Sequence, residues 1–376
     1  MPPKTTSAIK RAGYVLFCAL GLITVRWLMQ SSPRPLNGIK DFMTFYVGAE
    51  LVGTPHLYDE AYQMKRQEQL VGVNSDIIPY VRFPFLAWLY KPLAWFSYDQ
   101  ADKIWTGLIA LSFAVFWWLF PVNRWHTLFA LCWSVPVISC FRLGQDTSFL
   151  LVWIAFGIVL YQKGRPFLAG LAFSLCLQKF HFLVLAAIVV LVQRHWRMMW
   201  GAISGVAFFI ALSFAVQGPT WPRDYFHMLV YGNSQPSARF MYNIREFFWR
   251  SPHNLAWHIA GSVIVAGLVW LISRRAPFAI AFSASLIGSL MISLHVFHQD
   301  YVLAFPLILL TFENFLNSPP PAVLLGVPFL YLWIPAVIIV CFGLLIWVAV
   351  DYETRARRKL GSDRLAGSTL IDSETR

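Results

Sequence analysis

The first candidate catalytic residue is a single carboxylate, Asp41, which lies just beyond the first strongly apolar run of the chain. That run covers residues 12–29, and after Asp41 the sequence turns continuously apolar again only at Phe83. A charge held in or near a bilayer costs at least a few kcal/mol, so such groups are usually paired or kept for function. Asp41 is therefore the residue that we expect to act as a base.

Three further groups of polar residues interrupt apolar sequence. They are Gln145, Lys179 with His181, and the cluster of His295, His298 and Asp300. Taken singly, each has an ordinary explanation: a glutamine in a turn caps a helix, a lysine near a helix end extends its amine to the interface, and a histidine is satisfied in the core. Their common placement on the predicted outer side of a membrane is more informative than any one of them.

Transfer of a sugar from a lipid phosphate carrier would need groups of these types. The phosphate leaving group needs fixed positive charge, which Lys179 is placed to supply. The acceptor hydroxyl needs a positioned base, for which we expect Asp41. The sugar hydroxyls need hydrogen-bond partners, for which Gln145, His295 and Asp300 are candidates. The chain contains no glycine-rich phosphate loop that would indicate a nucleotide.

The composition predicts which elements must hold these groups. Of 376 residues, 58% are hydrophobic and 13% are charged, whereas soluble proteins carry roughly a quarter charged residues. The chain is therefore predicted to be an all-α polytopic membrane protein. We expect one integral membrane domain over residues 1–350 and a polar cytoplasmic tail over residues 351–376, of which the last dozen are predicted to be disordered.

Net charge and cysteine content exclude two other classes. The formal charge of +12 comes from basic residues at the ends of apolar runs, which is the pattern of topology signals and not of a nucleic-acid surface. The five cysteines all lie within apolar runs without metal-like spacing, so neither a disulfide framework nor a zinc site is predicted. We expect membrane lipids as partners and no nucleic acid.

The distribution of basic residues predicts the topology. Residues 1–11 are basic and lack acids, which places the N-terminus in the cytoplasm and keeps residues 12–29 as a signal anchor. The segments 30–82 and 217–253 are then external loops, with Asp41 in the first of them. The expected location is the cell (inner or plasma) membrane, with several crossings and an extracytoplasmic active site.

Hydrophobic periodicity predicts most of the helices. Within the first loop, residues 42–52 resemble a helix lying in the interface plane and residues 59–71 a solvated helix. Further spans are predicted at 103–120, 126–141, 146–161, 198–216, 254–272, 277–294 and 302–315.

Three segments keep two interpretations each. Residues 83–97 contain two prolines and a lysine, so they form either a re-entrant, broken helix or a crossing. Residues 166–193 are too short for two crossings although both flanks are basic, so they form either a hairpin of half-length helices with Lys179 and His181 at its tip or one tilted span. Residues 321–350 form either one long span or two short ones.

The order of short motifs along the chain resembles glycosyltransferase family 87. The motifs are Asp41-Phe42 with Tyr46, Gly53-x4-Tyr58-Asp59, Phe83-Pro84 with Pro92-Leu93-Ala94, Leu143-Gly144-Gln145, Gly164-Arg165-Pro166-Phe167-Leu168-Ala169-Gly170 leading to Lys179, and His295 with Asp300-Tyr301. Two motifs depart from the family pattern: Gly144-Gln145-Asp146-Thr147 stands where Gly-Gln-x-Asn is frequent, and Phe83-Pro84-Phe85 where Tyr-Pro-Pro is frequent.

The resemblance implies a GT-C-like fold with roughly 10–12 membrane helices, including short or re-entrant ones. It also implies a polyprenyl-phosphate sugar donor, a glycolipid or glycan acceptor, and Asp41 as the base of an inverting displacement. Residues Gln145, Lys179 and His295 would line the site. Because no Asp-x-Asp occurs at Asp41, no metal is expected, and no other cofactor is predicted.

The leading hypothesis is thus transfer of a hexose, with mannose implied by the resemblance, to an envelope glycolipid or glycan. A transporter or lipid-carrier flippase would also need broken helices and charges in the membrane, but it would be expected to show internal repeats, and none is visible. A non-catalytic membrane scaffold would not need Asp41, Lys179 and His295 to meet in one cavity.

Overall fold

The computed structural model describes residues 4–31, 41–71, 78–231, 241–314 and 334–374, and the regular elements in these ranges are all helical. Five helices in the described ranges are long and apolar enough to span a membrane, and three shorter apolar helices accompany them. The chain is therefore an all-α polytopic membrane protein, as predicted from its composition.

The helices follow one another with few long connections. In chain order they are α1 (Lys4–Ser31), α2 (Phe42–Leu51), α3 (Glu60–Val71), α4 (Pro84–Tyr90), α5 (Tyr98–Leu119), α6 (Arg124–Cys132), α7 (Val135–Leu143), α8 (Thr147–Gln162), α9 (Pro166–Ser174), α10 (Ala186–Val192), α11 (Trp196–Gln217), α12 (Trp221–Tyr231), α13 (Asn254–Arg275), α14 (Phe278–Ile292), α15 (Phe305–Asn314) and α16 (Ile334–Glu374). Segments of 3-10 helix cover Lys91–Trp95, Leu175–Leu183, Ile244–Phe248 and His298–Ala304.

The first loop contains the two predicted helices, but one of them is more buried than expected. Helix α3 matches the predicted polar helix at 59–71. Helix α2 matches 42–52 in position, yet nine of its 10 residues are buried in the protein, so it does not present one face to lipid and the other to water as a surface helix would. Because α2 is apolar on all sides, burial on all sides is its stable arrangement.

One predicted span is broken, and so is one of the segments that kept two interpretations. Residues 83–97 form α4 followed by a 3-10 turn at Lys91–Trp95, as the broken-helix interpretation requires. Residues 126–141, predicted as one span, form α6 and α7 with a bend of 62° between them. Pro136 lies in the first turn of α7, the position that a helix tolerates for proline, so the helix restarts there and does not run through.

The segment 166–193 folds back on itself. It consists of α9, a 3-10 segment and α10, with a non-helical residue, Lys179 (φ −137°, ψ 55°), in the middle. A continuous helix of this length would separate its ends by about 40 Å, whereas Tyr161 just before it contacts His195 just after it, at 3.3 Å between hydroxyl and ring nitrogen. The hairpin interpretation is the one that fits, with Lys179 at its tip.

The second half of the chain differs from prediction in two places. The predicted loop 217–253 contains α12 and the 3-10 turn Ile244–Phe248. Helix α16 continues to Glu374, so the last dozen residues are helical up to that point and not disordered. The ion pairs Arg355–Asp351 and Arg357–Glu353, one turn apart, support the helix beyond its apolar part. Residues 321–333 of the ambiguous segment 321–350 lie outside the described ranges.

Candidate active site

Asp41 is held at the start of α2 by the burial of the residue that follows it. Phe42 is fully buried, and its ring packs against Trp105 of α5 with 5.2 Å between ring centroids. The carbonyl oxygen of Asp41 accepts hydrogen bonds from the amide of Thr44 at 3.0 Å and from its hydroxyl at 2.8 Å. The backbone is therefore fixed, and the carboxylate projects from a rigid helix start.

Gly144 brings Gln145 to Asp41. Gly144 ends α7 in the left-handed conformation (φ 65°, ψ 40°), and its carbonyl oxygen accepts a hydrogen bond from the indole of Trp105 at 2.8 Å. A Cβ atom at this position would lie only 2.7 Å from Cβ of Phe42. Glycine is needed here for both conformation and space. This close approach lets Nε2 of Gln145 donate a hydrogen bond to Oδ2 of Asp41.

Lys179, at the tip of the hairpin, is saturated by protein acceptors. Its Nζ donates to Oε1 of Gln145 at 3.0 Å, to Oγ1 of Thr147 at 2.6 Å and to Oδ1 of Asp300 at 2.7 Å. These three bonds use all three protons of the ammonium group. The residue is only 5% exposed. Gln145 thus joins Asp41 to Lys179 through its two ends.

Two carboxylates, those of Asp300 and Asp146, lie next to the ammonium group of Lys179. Asp300 also accepts hydrogen bonds from the hydroxyl of Thr147 at 2.8 Å and from the amide of Phe297 at 3.0 Å. Asp146 is fully buried, and its Oδ1 lies 3.3 Å from Nζ of Lys179 and 3.5 Å from Nη2 of Arg82. Neither oxygen of Asp146 receives a well-aligned hydrogen bond, so attraction between charges holds it in place.

The surroundings shift the acidities of Asp41 and Asp300 in opposite directions. Burial raises the pKa of Asp41 to about 6, although the charge of Lys179 and the hydrogen bond from Gln145 act against the shift. Burial alone would also raise the pKa of Asp300, but the charge and hydrogen bond of Lys179 outweigh it and hold that pKa below its usual value. Asp41 can therefore exchange a proton near neutral pH, whereas Asp300 stays ionised.

The three predicted histidines lie around this network and are not bonded to it. No hydrogen bond joins His181, His295 or His298 to Asp41 or Lys179 within the described parts of the chain. His295 is exposed, and partial desolvation by the neighbouring protein lowers its pKa to about 4. Burial lowers the pKa of His298 to about 4 as well. The Nε2 atoms of His181 and His298 are buried without a hydrogen bond.

The three carboxylates of the site differ in how accessible they are to a bound molecule. Asp41 retains accessible surface, and its Oδ1 has no hydrogen-bond donor among the described residues. Asp146 and Asp300 are buried around Lys179 and have no such freedom. The site thus presents one carboxylate that can take a proton from a bound molecule, in front of a closed cluster of charges.

The sequence model of glycosyltransferase family 87 matches residues 83–297, more than half of the 376 residues. The chain belongs to glycosyltransferase family 87. No curated protein and no solved structure gives a significant match to it. The match covers Gln145, Lys179 and His295. Asp41 and Asp300 lie outside the matched residues, and it is the structure that brings them next to Gln145 and Lys179.

Three residues of this family 87 site were missed from the sequence. Arg82, Asp146 and Thr147 complete the charge network. Arg82 also donates from Nη1 to the carbonyl oxygen of Gln178 at 2.7 Å, which ties the start of α4 to the hairpin tip. The signal available for Arg82 was its place immediately before the Phe83-Pro84 motif. Asp146 and Thr147 follow Gln145 directly, in the motif that departs from the family pattern.

Proposed function

We propose that the chain transfers a hexose, with mannose as the first candidate, from a polyprenyl-phosphate carrier to an envelope glycolipid or glycan. Membership of family 87 gives the general activity, glycosyl transfer within a membrane protein. The observation that supports the specific proposal is the link from Asp41 through Gln145 to Lys179, because it joins a partly accessible carboxylate to a buried cation.

The proposed reaction is a single displacement. The acceptor hydroxyl oxygen attacks the anomeric carbon of the hexose, and its proton passes to Oδ1 of Asp41. The bond from the anomeric carbon to the phosphate oxygen breaks, and its electron pair leaves with the polyprenyl phosphate. Asp41 then releases the proton to water. Proton abstraction by a base with a pKa near the working pH is the efficient case.

The availability of only one carboxylate favours inversion at the anomeric carbon. Retention through a covalent intermediate would need a second carboxylate acting as nucleophile. In the described site, Asp146 and Asp300 are buried around Lys179 and cannot approach a sugar without breaking that cluster. A direct attack by the acceptor, with Asp41 as base, uses the groups as they stand.

Arg82 is a better candidate than Lys179 for direct contact with the donor phosphate. A phosphate on Lys179 would have to displace one of three protein acceptors. Arg82 keeps 18% of its side-chain surface accessible, and a guanidinium group pairs well with phosphate oxygens. We assign to Lys179 the task of orienting Gln145 and adding positive charge behind the site. That assignment departs from the role expected from the sequence.

The sugar is expected to meet the groups that keep free polar atoms. His295 is neutral at physiological pH and accessible, so it can donate to or accept from a sugar hydroxyl. His181 and His298 each keep a buried Nε2 without a hydrogen bond, and Gln145 has a second N–H besides the one bonded to Asp41, so these three residues remain candidates. Asp300 was expected to contact the sugar, but its oxygens are engaged with Lys179, Thr147 and Phe297, so we assign it to the support of Lys179.

The distribution of basic turns supports an extracytoplasmic site in the cell membrane. Gln193 bonds to the carbonyl oxygens of Ser273 and Ala276, and Tyr161 contacts His195, so the turns around residues 163–165, 194–197 and 274–275 meet at one end. Arg275 forms an ion pair with Glu353 of α16, so the start of the tail lies at the same end. By the positive-inside rule that end faces the cytoplasm. The hairpin tip with Lys179, and with it Asp41, then points toward the outer side.

The test compares cells that lack the gene with cells carrying the wild type, Asp41→Asn or Asp99→Asn. Asp99 is an exposed acid in the first turn of α5 and is the matched control. Mass spectrometry of envelope glycolipids and glycans should show loss of one hexose unit in the deletion strain. The wild type and Asp99→Asn should restore it, and Asp41→Asn should not.

Purified protein in proteoliposomes gives the second half of the test. Transfer should require a polyprenyl-phosphate hexose and should fail with a nucleotide sugar. Full restoration of the product by Asp41→Asn would refute its role as base. Movement of lipid-linked sugar across the membrane without any glycosylated product would favour a transporter or flippase instead.

A further inference from the structure

A cavity open to the surface lies at the far end of α2 from Asp41. It has a volume of about 410 Å³ and is lined by the end of α2, by α3 and by the 3-10 turn Lys91–Trp95. This volume is within the range of small-molecule sites, about 300 to 1,000 Å³. The nine residues from Asp41 to Glu50 correspond to about 13 Å along a helix axis. The cavity is therefore separate from the base but connected to it by one rigid helix.

The polar wall of the cavity is a fixed ion pair. Arg66 of α3 donates from Nε to Oε2 of Glu50 and from Nη2 to Oε1 of Glu50, both at 2.7 Å. Nη1 of Arg66 also reaches Oε1 of Gln69 at 3.2 Å. A bidentate pair holds both groups in one geometry, while the carboxylate keeps lone pairs and the guanidinium keeps N–H groups for a ligand.

Aromatic rings form the other walls. Trp95 is 77% exposed, the highest value among the large apolar side chains of the described residues, although it lines a cavity. Tyr62 of α3 also lines the cavity and is held by stacking on His56, with 4.1 Å between ring centroids. An indole left so exposed beside polar groups provides a flat surface on which the apolar face of a sugar ring can pack.

The paired carboxylate and guanidinium groups of the cavity point to a polyhydroxyl ligand without a phosphate group. Glu50 and Arg66 cancel each other, and the carboxylate would repel a phosphate group. Sugar hydroxyls both donate and accept, so a carboxylate beside a guanidinium satisfies them without net charge. Lys91 lines the same cavity and adds one positive charge. Its amine donates to the carbonyl oxygen of Val52 at 3.4 Å, which leaves two of its protons for further hydroxyl groups.

We propose that this cavity binds a sugar ring of the acceptor, several units away from the hydroxyl that Asp41 deprotonates. The inference rests on the proposed function, since it concerns the acceptor of that transfer. It predicts that acceptors long enough to reach from Asp41 to Trp95 bind more tightly than short ones. It also predicts that this advantage depends on Trp95.

The experiment measures transfer from a polyprenyl-phosphate hexose by purified protein in proteoliposomes. Wild type is first supplied with an envelope lipid extract, and then with alkyl oligohexosides of increasing length. Trp95→Ala is compared with Trp88→Ala, whose indole is also exposed but lies on α4 outside the cavity lining. Both positions are accessible, so neither substitution removes core packing.

The expected result is a fall of acceptor KM with length in wild type and Trp88→Ala. In Trp95→Ala the KM for long acceptors should rise about tenfold, as expected for loss of a tryptophan contact, while kcat and the donor KM stay unchanged. No transfer to the lipid extract would refute the proposed function itself. Transfer to the extract, with no dependence on length or with equal effects of the two substitutions, would overturn the acceptor cavity alone.

Discussion

Asp41 and Lys179 are joined by one glutamine, yet their surroundings are opposite. Lys179 is buried, donates three hydrogen bonds to protein and has a further carboxylate, that of Asp146, at 3.3 Å. Asp41 receives one side-chain hydrogen bond and keeps part of its surface accessible. A buried charge is stable only when it is paired and hydrogen-bonded. Lys179 meets that condition fully, and Asp41 meets it in part.

The difference teaches which residue is free for chemistry. The incomplete compensation of Asp41 raises its pKa to about 6 and leaves an oxygen for a substrate proton. The complete compensation of Lys179 fixes the geometry of Gln145 and the hairpin tip. We therefore expect replacement of Lys179 to damage the fold and replacement of Asp41 to damage the reaction.

The largest effect is expected for Lys179→Met. Removal of the ammonium group leaves Asp146 and Asp300 buried without their main counter-charge, which typically destabilises a protein by about 3 to 5 kcal/mol. Thermal unfolding in detergent should shift to lower temperature, and transfer should be lost with it. Lys163→Met, at an exposed lysine between α8 and α9, is the control and should leave both unchanged.

Thermal unfolding of Asp41→Asn, unlike that of Lys179→Met, should show no loss of stability. The folded protein raises the pKa of Asp41 from 3.8 to about 6, so the ionised carboxylate destabilises the fold increasingly between these pH values and fully above them. Asparagine removes this penalty, which is at most about 3 kcal/mol. Unfolding at pH 7.5 should occur at the same or a higher temperature than in wild type. A clear loss of stability would show that Asp41 is structural.

The pH dependence of transfer should follow Asp41. The base must be ionised, so kcat/KM should be half-maximal near pH 6 and fall about tenfold for each pH unit well below it. Asp99→Asn should keep this profile. A rate that stays constant down to pH 5 would mean that the group titrating near pH 6 does not take the acceptor proton.

A smaller effect is expected from Gly144→Ala. Glycine at this position provides the left-handed conformation and the space beside Phe42, so alanine should move Gln145 away from Asp41 and lower transfer about tenfold. Gly164→Ala is matched for conformation, since Gly164 also has positive φ (71°), but no atom lies within 4 Å of its added Cβ. Equal loss of activity in both variants would attribute the effect to backbone strain alone.

No effect is expected from a metal chelator. The ammonium group of Lys179 already occupies the position between Asp146 and Asp300 that a divalent cation would take. We therefore propose that transfer proceeds at an unchanged rate in EDTA. Loss of activity that magnesium or manganese restores would show that a metal ion binds elsewhere in the site and takes part.

Much of the fold could be predicted because hydrophobic runs are local signals. Helices α5, α8, α11, α13 and α14 lie where the apolar periodicity put them. The bend between α6 and α7 was missed because Pro136 permits either a kinked span or a restart, and neighbouring helices decide between them. The burial of α2 was missed because an apolar helix can face lipid or protein.

The sequence by itself determined that Asp41, Gln145, Lys179 and Asp300 are polar exceptions in apolar surroundings, and that their motifs follow the order of family 87. Only the tertiary structure decided that Gln145 reaches Asp41 across 104 positions and that Lys179 reaches Asp300 across 121. It also added Arg82 and Asp146 to the network. The physical reason is that a residue type fixes which bonds a side chain can make, while the packing of distant helices fixes which partners come within reach.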